Sequence, residues 1–117
     1  MVHRRDSSLS RPARSAIEDE NNNRYVSVAS LWEIAIKVSI GKLTLSDPFE
    51  TLIPEQLAEN GIELPDISVE HTALVASMPF HHRDPFDRLI AAQAKIEQMT
   101  LVSVDDVFDS YETTRLW

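Results

Sequence analysis

One pattern constrains this chain more than any other: short runs of β-branched and aromatic residues alternate with segments that carry helical periodicity and helix caps. Arg24 to Val28, Ile62 to Leu64 and Leu101 to Val104 read as strands. Helical segments separate them. Parallel neighbours need a long crossover, usually a helix, so strands spaced in this way favour a parallel sheet. The expected fold class is therefore α/β, a parallel sheet flanked by helices, with ligands gathered at the carboxyl ends of the strands. A chain of 117 residues has room for one modest core and not for two. Residues 1–8 read as a polar arm and residues 9–117 as the domain.

The helices are legible from their ends. A short one is predicted from Leu9 to about Glu18, with Ser10 as its cap and Pro12 in its first turn. Asn21, Asn22 and Asn23 make a turn. Ser30 and Glu33 have the spacing of a capping box, and Leu31, Ile34, Ala35 and Val38 follow at helical intervals. Trp32, Ile36 and Ile40 widen the apolar face, so this helix is expected to be largely buried, with Gly41 ending it. Asp47 and Glu50 suggest a second capping box, in a helix that Pro54 should break or restart. Ser68 caps a helix from Val69 to about Ser77. Asp84-Pro85-Phe86-Asp87 supplies a cap, a proline at the first helical position and an acid in the first turn. Leu89, Ile90, Ala92, Gln93, Ile96 and Met99 continue that helix. Val107 to Tyr111 is a short helical turn, and Leu116 and Trp117 form an apolar tail expected to pack down.

Composition excludes several classes. Hydrophobic residues at 43% and charged residues at 26% are those of a folded protein, not a disordered one. No apolar run is long enough to span a bilayer, and the first residues lack a signal peptide's apolar stretch. The absence of cysteine removes disulfides and thiolate metal sites and is compatible with a reducing cytoplasm. Two glycines are too few for a glycine-rich phosphate loop. His3, Arg4, Arg5, Arg11 and Arg14 make the start basic, yet the chain carries a net charge of −8. So acidic a body is a poor passive nucleic-acid binder. It can act on a polyanion if its carboxylates surround a divalent cation, which reverses the local field; equally, the acids can simply keep a small domain soluble.

Three acids fall where a parallel sheet would use them. Glu33 and Asp87 lie in the first turns of helices, and Asp105 lies just past the last strand. Right-handed crossovers would turn all three to one rim. Oxygen donors without thiolates suit Mg²⁺ or Mn²⁺, and such an ion can acidify water for attack at phosphorus. Each acid also has a plain structural role open to it. Glu33 and Asp87 can serve as helix-start acids, and Asp105 can be a turn residue. His81 and His82 beside Asp84 could form another phosphohydrolase site, although adjacent histidines point apart and a surface loop explains them as well. Lys37, four residues after Glu33, fits a helix-surface ion pair. Trp32 and Trp117 are read as core residues.

Three blocks carry a resemblance. The run Val28-Ala29-Ser30-Leu31-Trp32-Glu33-Ile34-Ala35-Ile36-Lys37 with Gly41-Lys42-Leu43 resembles the second block of PIN-domain toxins of the VapC type. So does His82-Arg83-Asp84-Pro85-Phe86-Asp87-Arg88-Leu89-Ile90-Ala91-Ala92-Gln93-Ala94. The ending, from Leu101-Val102-Ser103-Val104-Asp105 through Tyr111 to Leu116-Trp117, is similar to the family's third block. The blocks stand in family order from about Leu9 to the C-terminus. The resemblance implies a Mg²⁺-dependent (or Mn²⁺-dependent) endoribonuclease, the toxin of a type II toxin-antitoxin pair. It also implies RNA as substrate, inhibition by a cognate antitoxin protein, and Glu33, Asp87 and Asp105 as catalytic and metal-binding residues. Asp84 then caps the helix. A homodimer in the cytoplasm, with no membrane, is expected.

The chain departs from the family at its start. PIN toxins of this type open with a strand ending in Leu-Asp-Thr-His or similar, whose aspartate is the first metal ligand and whose place is mid-sheet. Here Leu9-Ser10-Arg11-Pro12-Ala13-Arg14 matches a stretch well downstream of that motif. Asp6, among Arg4, Arg5 and Ser7, makes no apolar strand. The expected architecture is thus a PIN-like sheet lacking the family's first, central strand, with impaired catalysis. The alternative is a catalytically inactive remnant that still binds the antitoxin.

Overall fold

The computed structural model describes residues 10–79, 84–103 and 105–117. The polar arm 1–8, Asp6, the histidine pair His81 and His82, and Val104 lie outside the described residues. Helix α1 (Arg11–Glu18) starts where Ser10 Oγ accepts the Ala13 amide, 3.2 Å away. Strand β1 (Arg24–Tyr25) leads into α2 (Val28–Ser39). This helix begins one turn earlier than the Ser30–Glu33 spacing implied. Ser27 is the cap, its Oγ accepting the Ala29 amide at 3.1 Å, and Ser30 lies inside the first turn. Val28 and Ala29 contain no breaker, and Ala29 packs into the core, so burial extends the helix back to Ser27. The expected capping box therefore does not form, and Glu33 sits in the second turn. Past the helix, Gly41 adopts φ +76° while Lys42 N–H bonds to the Lys37 carbonyl at 2.9 Å and Gly41 N–H to that of Val38 at 3.2 Å. That pair of hydrogen bonds closes the helix as anticipated.

Helix α3 (Phe49–Glu59) corrects two expectations. Pro48 stands at its cap without a side-chain bond, so Asp47 and Glu50 form no capping box, and Pro54 stays inside an unbroken helix. The proline removes only the bond to the carbonyl of Glu50, an exposed residue that water can serve. Strand β2 (Ile62–Glu63) follows, then α4 (Val69–Ser77) with Ser68 as cap. The reciprocal partner in its capping box is a histidine: Ser68 N–H donates to His71 Nδ1 at 3.0 Å. His71 Nε2 therefore carries the proton and donates to Glu97 Oε1 at 2.9 Å, tying α4 to the end of α5 (Pro85–Ile96). Strand β3 (Leu101–Val102), a 3-10 helix (Asp106–Tyr111) and strand β4 (Arg115–Leu116) complete the chain. Leu116, expected as part of an apolar tail, is instead a strand residue paired with Val102.

The core is built around α5. Asp87, Ile90, Ala91, Ala92, Gln93 and Ala94 are buried on it, and its apolar members cluster with Ala29, Leu101, Phe108 and Tyr111. The small side chains of Ala91, Ala92 and Ala94 let neighbours approach closely, and α4 and α2 both pack on this helix. Helix α2 is less buried than its sequence suggested. Trp32 is 60% exposed and Ile40 58%, while Val28 and Ile36 complete an exposed row at four-residue spacing. Trp32 is thus no core residue; it meets Phe86 edge-on, with ring centres 5.0 Å apart.

Both strand pairs are parallel, as the alternation of elements requires, but they do not join. Among the described residues β1 pairs with β2, and β3 with β4, in two separate two-stranded sheets. In a parallel ladder successive residues turn their peptide groups to opposite edges. Val26 N–H bonds to Glu63, and Leu101 and Ser103 N–H bond to Thr114 and Leu116. Tyr25 and Val102 therefore present their peptide groups to the other edge. Both residues line a cavity of about 420 Å³ that also touches Ile17, Arg24, Thr100 and Leu116.

This account of the core makes a stability prediction. Phe108, fully buried against α5, should cost about 3–5 kcal/mol when replaced by alanine. Val69→Ser, at a position 85% exposed, should stay within about 0.5 kcal/mol. Urea denaturation of both variants checks the contrast, and equal losses would refute the assignment of the core.

Candidate functional site

Asp87 is the centre of the site. It occupies the third position of α5, where the cap residue Asp84 accepts the Phe86 amide at 2.8 Å and the Asp87 amide at 3.2 Å through the same Oδ1. Pro85 at the first position has no amide to satisfy and a backbone angle already suited to the helix. Asp84 thus supplies the side-chain cap of the helix. The Asp87 side chain is fully buried. Burying an ionised carboxyl group costs several kcal/mol unless hydrogen bonds or a cation compensate it. A carboxylate so placed, at the positive end of a helix dipole, is a stronger functional candidate than its spacing alone suggested.

Asp105 lies two residues past Ser103 at the end of β3 and is half-buried. Its Oδ1 accepts the Val107 amide at 3.1 Å, so it caps the 3-10 helix. Its own amide donates to Ser103 Oγ, also at 3.1 Å. Glu33 is half-buried in the second turn of α2. The three acids therefore sit on elements that meet at α5, against which both α2 and the 3-10 helix pack. Among the described residues, no three or more His, Asp or Glu side chains are gathered closely enough to hold a metal ion between them. A closed cage of protein ligands is not what this geometry offers. The donor set is all oxygen, and Mg²⁺ is commonly held by one or two carboxylates with water and substrate phosphate filling the remaining positions. In kind, the residues present suit such an ion.

Several features here were not read from the sequence. Arg115 on β4 makes a two-pronged ion pair with Asp109, Nε to Oδ1 and Nη2 to Oδ2, both at 3.0 Å. The guanidinium holds the Asp109 carboxyl group below its ordinary pKa. In return the Asp109 hydrogen bonds push the Arg115 pKa up, with smaller contributions from the charges of Asp106 and Asp105. Inside the fold, Ser27 Oγ donates to Gln93 Oε1, joining the start of α2 to the middle of α5. Asp109 and Arg115 lie on different elements, the 3-10 helix and β4, so no sequence period marks that pair. His81 and His82 lie outside the described residues.

Comparison with known proteins bears on the same residues. The PIN domain model matches residues 1–113. Over 60 residues the chain is 33% identical to Ribonuclease VapC16 of Mycobacterium tuberculosis (strain ATCC 25618 / H37Rv), a match covering 51% of this chain and 43% of that relative. The chain thus spans less than half the length of the curated relative it matches. No solved structure matches it. With a family match that runs through α5 and its buried aspartate, and an α/β fold of short parallel strands and helices, the chain belongs to the PIN-domain family.

Proposed function

We propose that this protein is a Mg²⁺-dependent endoribonuclease of the VapC type, the toxin of a pair with a cognate antitoxin protein, acting on RNA in the cytoplasm. The observation that carries this reading is the fully buried carboxyl group of Asp87 in the first turn of α5, within the family match. Asp87, Asp105 and Glu33 would hold Mg²⁺ or Mn²⁺. When bound, such an ion supplies an acidified water and neutralises charge on the phosphoryl oxygens. The chain's own part is positional. Burial and the helix dipole keep Asp87 fixed and desolvated, and two hydrogen bonds, to Ser103 Oγ and from the Val107 amide, hold Asp105 in the turn after β3. Glu33, on a helix packed against α5, adds negative charge at the same junction.

The homodimer expected for this family finds support in the exposed row Val28, Trp32, Ile36 and Ile40 along α2, an apolar stripe of the sort that protein interfaces cover.

A second reading is favoured by the divided sheet. The cavity between β1 and β3 has the peptide groups of Tyr25 and Val102 turned toward it, and the buried Nε of Arg24 on its wall has no hydrogen-bond partner among the described residues. These features suit one further parallel strand inserted between the two pairs. In this reading the described residues form a PIN sheet lacking its central strand, together with the carboxylate that strand carries. Catalysis is then impaired, and the protein acts by binding its antitoxin.

Cleavage of a labelled RNA tests the first reading. Activity should require Mg²⁺ or Mn²⁺, vanish with a chelator, and fall at least about 100-fold in Asp87→Asn; undiminished cleavage by that variant refutes it. An N-terminal extension bearing an apolar strand that ends in Leu-Asp-Thr-His tests the second. It should raise cleavage and thermal stability together, and equal activity with and without it rules out a missing strand.

A further inference from the structure

Two contacts fix how helix α2 lies along helix α5. At the start of α2 the Ser27 hydroxyl accepts the Ala29 amide at 3.1 Å and gives its one proton to Oε1 of Gln93, in the second half of α5. Further along α2, the Trp32 ring meets that of Phe86, in the first turn of α5, with centres 5.0 Å apart. Advancing along α2 therefore means retreating along α5, so the two helices run antiparallel. Between these contacts Ala29 and Ala91 are buried in the same core cluster, where their small side chains permit close approach. Glu33 lies one turn after Ala29, and Asp87 one turn before Ala91, so each acid shares a helix face with its buried alanine. The same register brings Glu33 level with Asp87.

The contacts differ in what they can specify. Alanine packing is non-directional, and Trp32 is 60% exposed, so neither forbids a slip of one helix along the other. Ser27 and Gln93 do, because both are fully buried. Among the described residues Gln93 Nε2 has no partner, so the amide is tied to α2 through its oxygen alone. A slip of one turn would unpair a buried hydroxyl and a buried carbonyl, at about 1–3 kcal/mol for each group left unsatisfied.

We infer that Ser27 and Gln93 are positioning residues, whose bond sets the register of α2 on α5 and so holds Glu33 level with Asp87. The inference rests on the reading of these two acids as ligands of one divalent ion. Mg²⁺ tolerates little departure from octahedral geometry, so carboxylates supplied by two helices must keep a fixed offset. Neither Ser27 nor Gln93 touches the ion; both act through the helices they join.

Mn²⁺ affinity, followed by the electron paramagnetic resonance signal of free Mn²⁺ in titrations of the full chain, tests this apart from any cleavage. Circular dichroism melts without metal report the folding of each variant. Gln93→Leu and Ser27→Ala should each weaken Mn²⁺ binding about 10-fold. The double variant should be no weaker than the weaker single one, because both lose the same bond. Ser27→Thr, which keeps the hydroxyl, should bind within about 2-fold of the parent chain. Ala13→Gly, at a fully buried position on α1, calibrates stability: it should lower the melting temperature and leave Mn²⁺ binding unchanged. If Asp87→Asn binds Mn²⁺ as the parent does, or the parent binds none, the metal reading itself fails and the inference falls with it. If Asp87→Asn is weakened while Gln93→Leu and Ser27→Ala bind as the parent does, the positioning role alone is overturned. It is overturned equally if Ala13→Gly weakens binding as much as Gln93→Leu does. Should Gln93→Leu fail to fold, Ser27→Ala, the smaller change, decides.

Discussion

Helix α5 is the element against which the rest of the molecule is arranged, and its burial sets what the protein can do. Its inward side combines three closely spaced alanines and Ile90 with two buried polar groups, Gln93 and Asp87. Each polar group imposes a requirement. Gln93 is engaged by Ser27, which also caps α2, so the start of one helix is fastened to the middle of another. Asp87 brings a carboxyl group into the interior, where its charge is costly without compensation. Asp84 supplies the side-chain cap of the helix, and Pro85 fixes the direction in which it begins.

The remaining elements bring two further acids toward this helix by different means. Glu33 rides on α2, whose contact with α5 is made by a narrow inner face while its outer row stays in solvent. Asp105 is held in a turn by two hydrogen bonds, its own amide donating to Ser103 Oγ and its Oδ1 accepting the Val107 amide. In the proposed reading, carboxylates on separate elements would be gathered by the ion rather than preformed into a cage. The divided sheet belongs to the same picture. Two parallel pairs flank a cavity, and a sheet that ends in an open edge on both sides of a gap is an arrangement that proteins normally cover.

Much of this was legible in the residues, and the reasons for success and failure differ. The starts of α1, α4 and α5 were readable because Ser10, Ser68 and Asp84 each stand directly before the helical pattern, with a proline in the first turn of α1 and α5. The start of α2 was not, because Ser27 and Ser30 are both plausible caps and only the burial of Ala29 decides between them. Pro54 misled because a helix interior tolerates a proline when the orphaned carbonyl is exposed. Trp32 misled because an apolar residue in a helical row says nothing about which rows find a partner. Strand β4 escaped since Leu116 beside Trp117 looks equally like an apolar tail. Of the candidate site, the identities of Glu33, Asp87 and Asp105 came from motif blocks, whereas the complete burial of Asp87 and the bond from Arg115 to the Ser103 carbonyl depend on packing that no local spacing encodes.

The central claim is that these three carboxyl groups serve one divalent ion. Anomalous diffraction from crystals of the protein grown with Mn²⁺ tests it most directly. The account predicts a single strong peak at coordination distance, about 2.0–2.3 Å, from oxygens of Asp87 and Asp105, with Glu33 bound directly or through water. A peak elsewhere on the molecule, or none while the three carboxyl groups remain well apart, would contradict it.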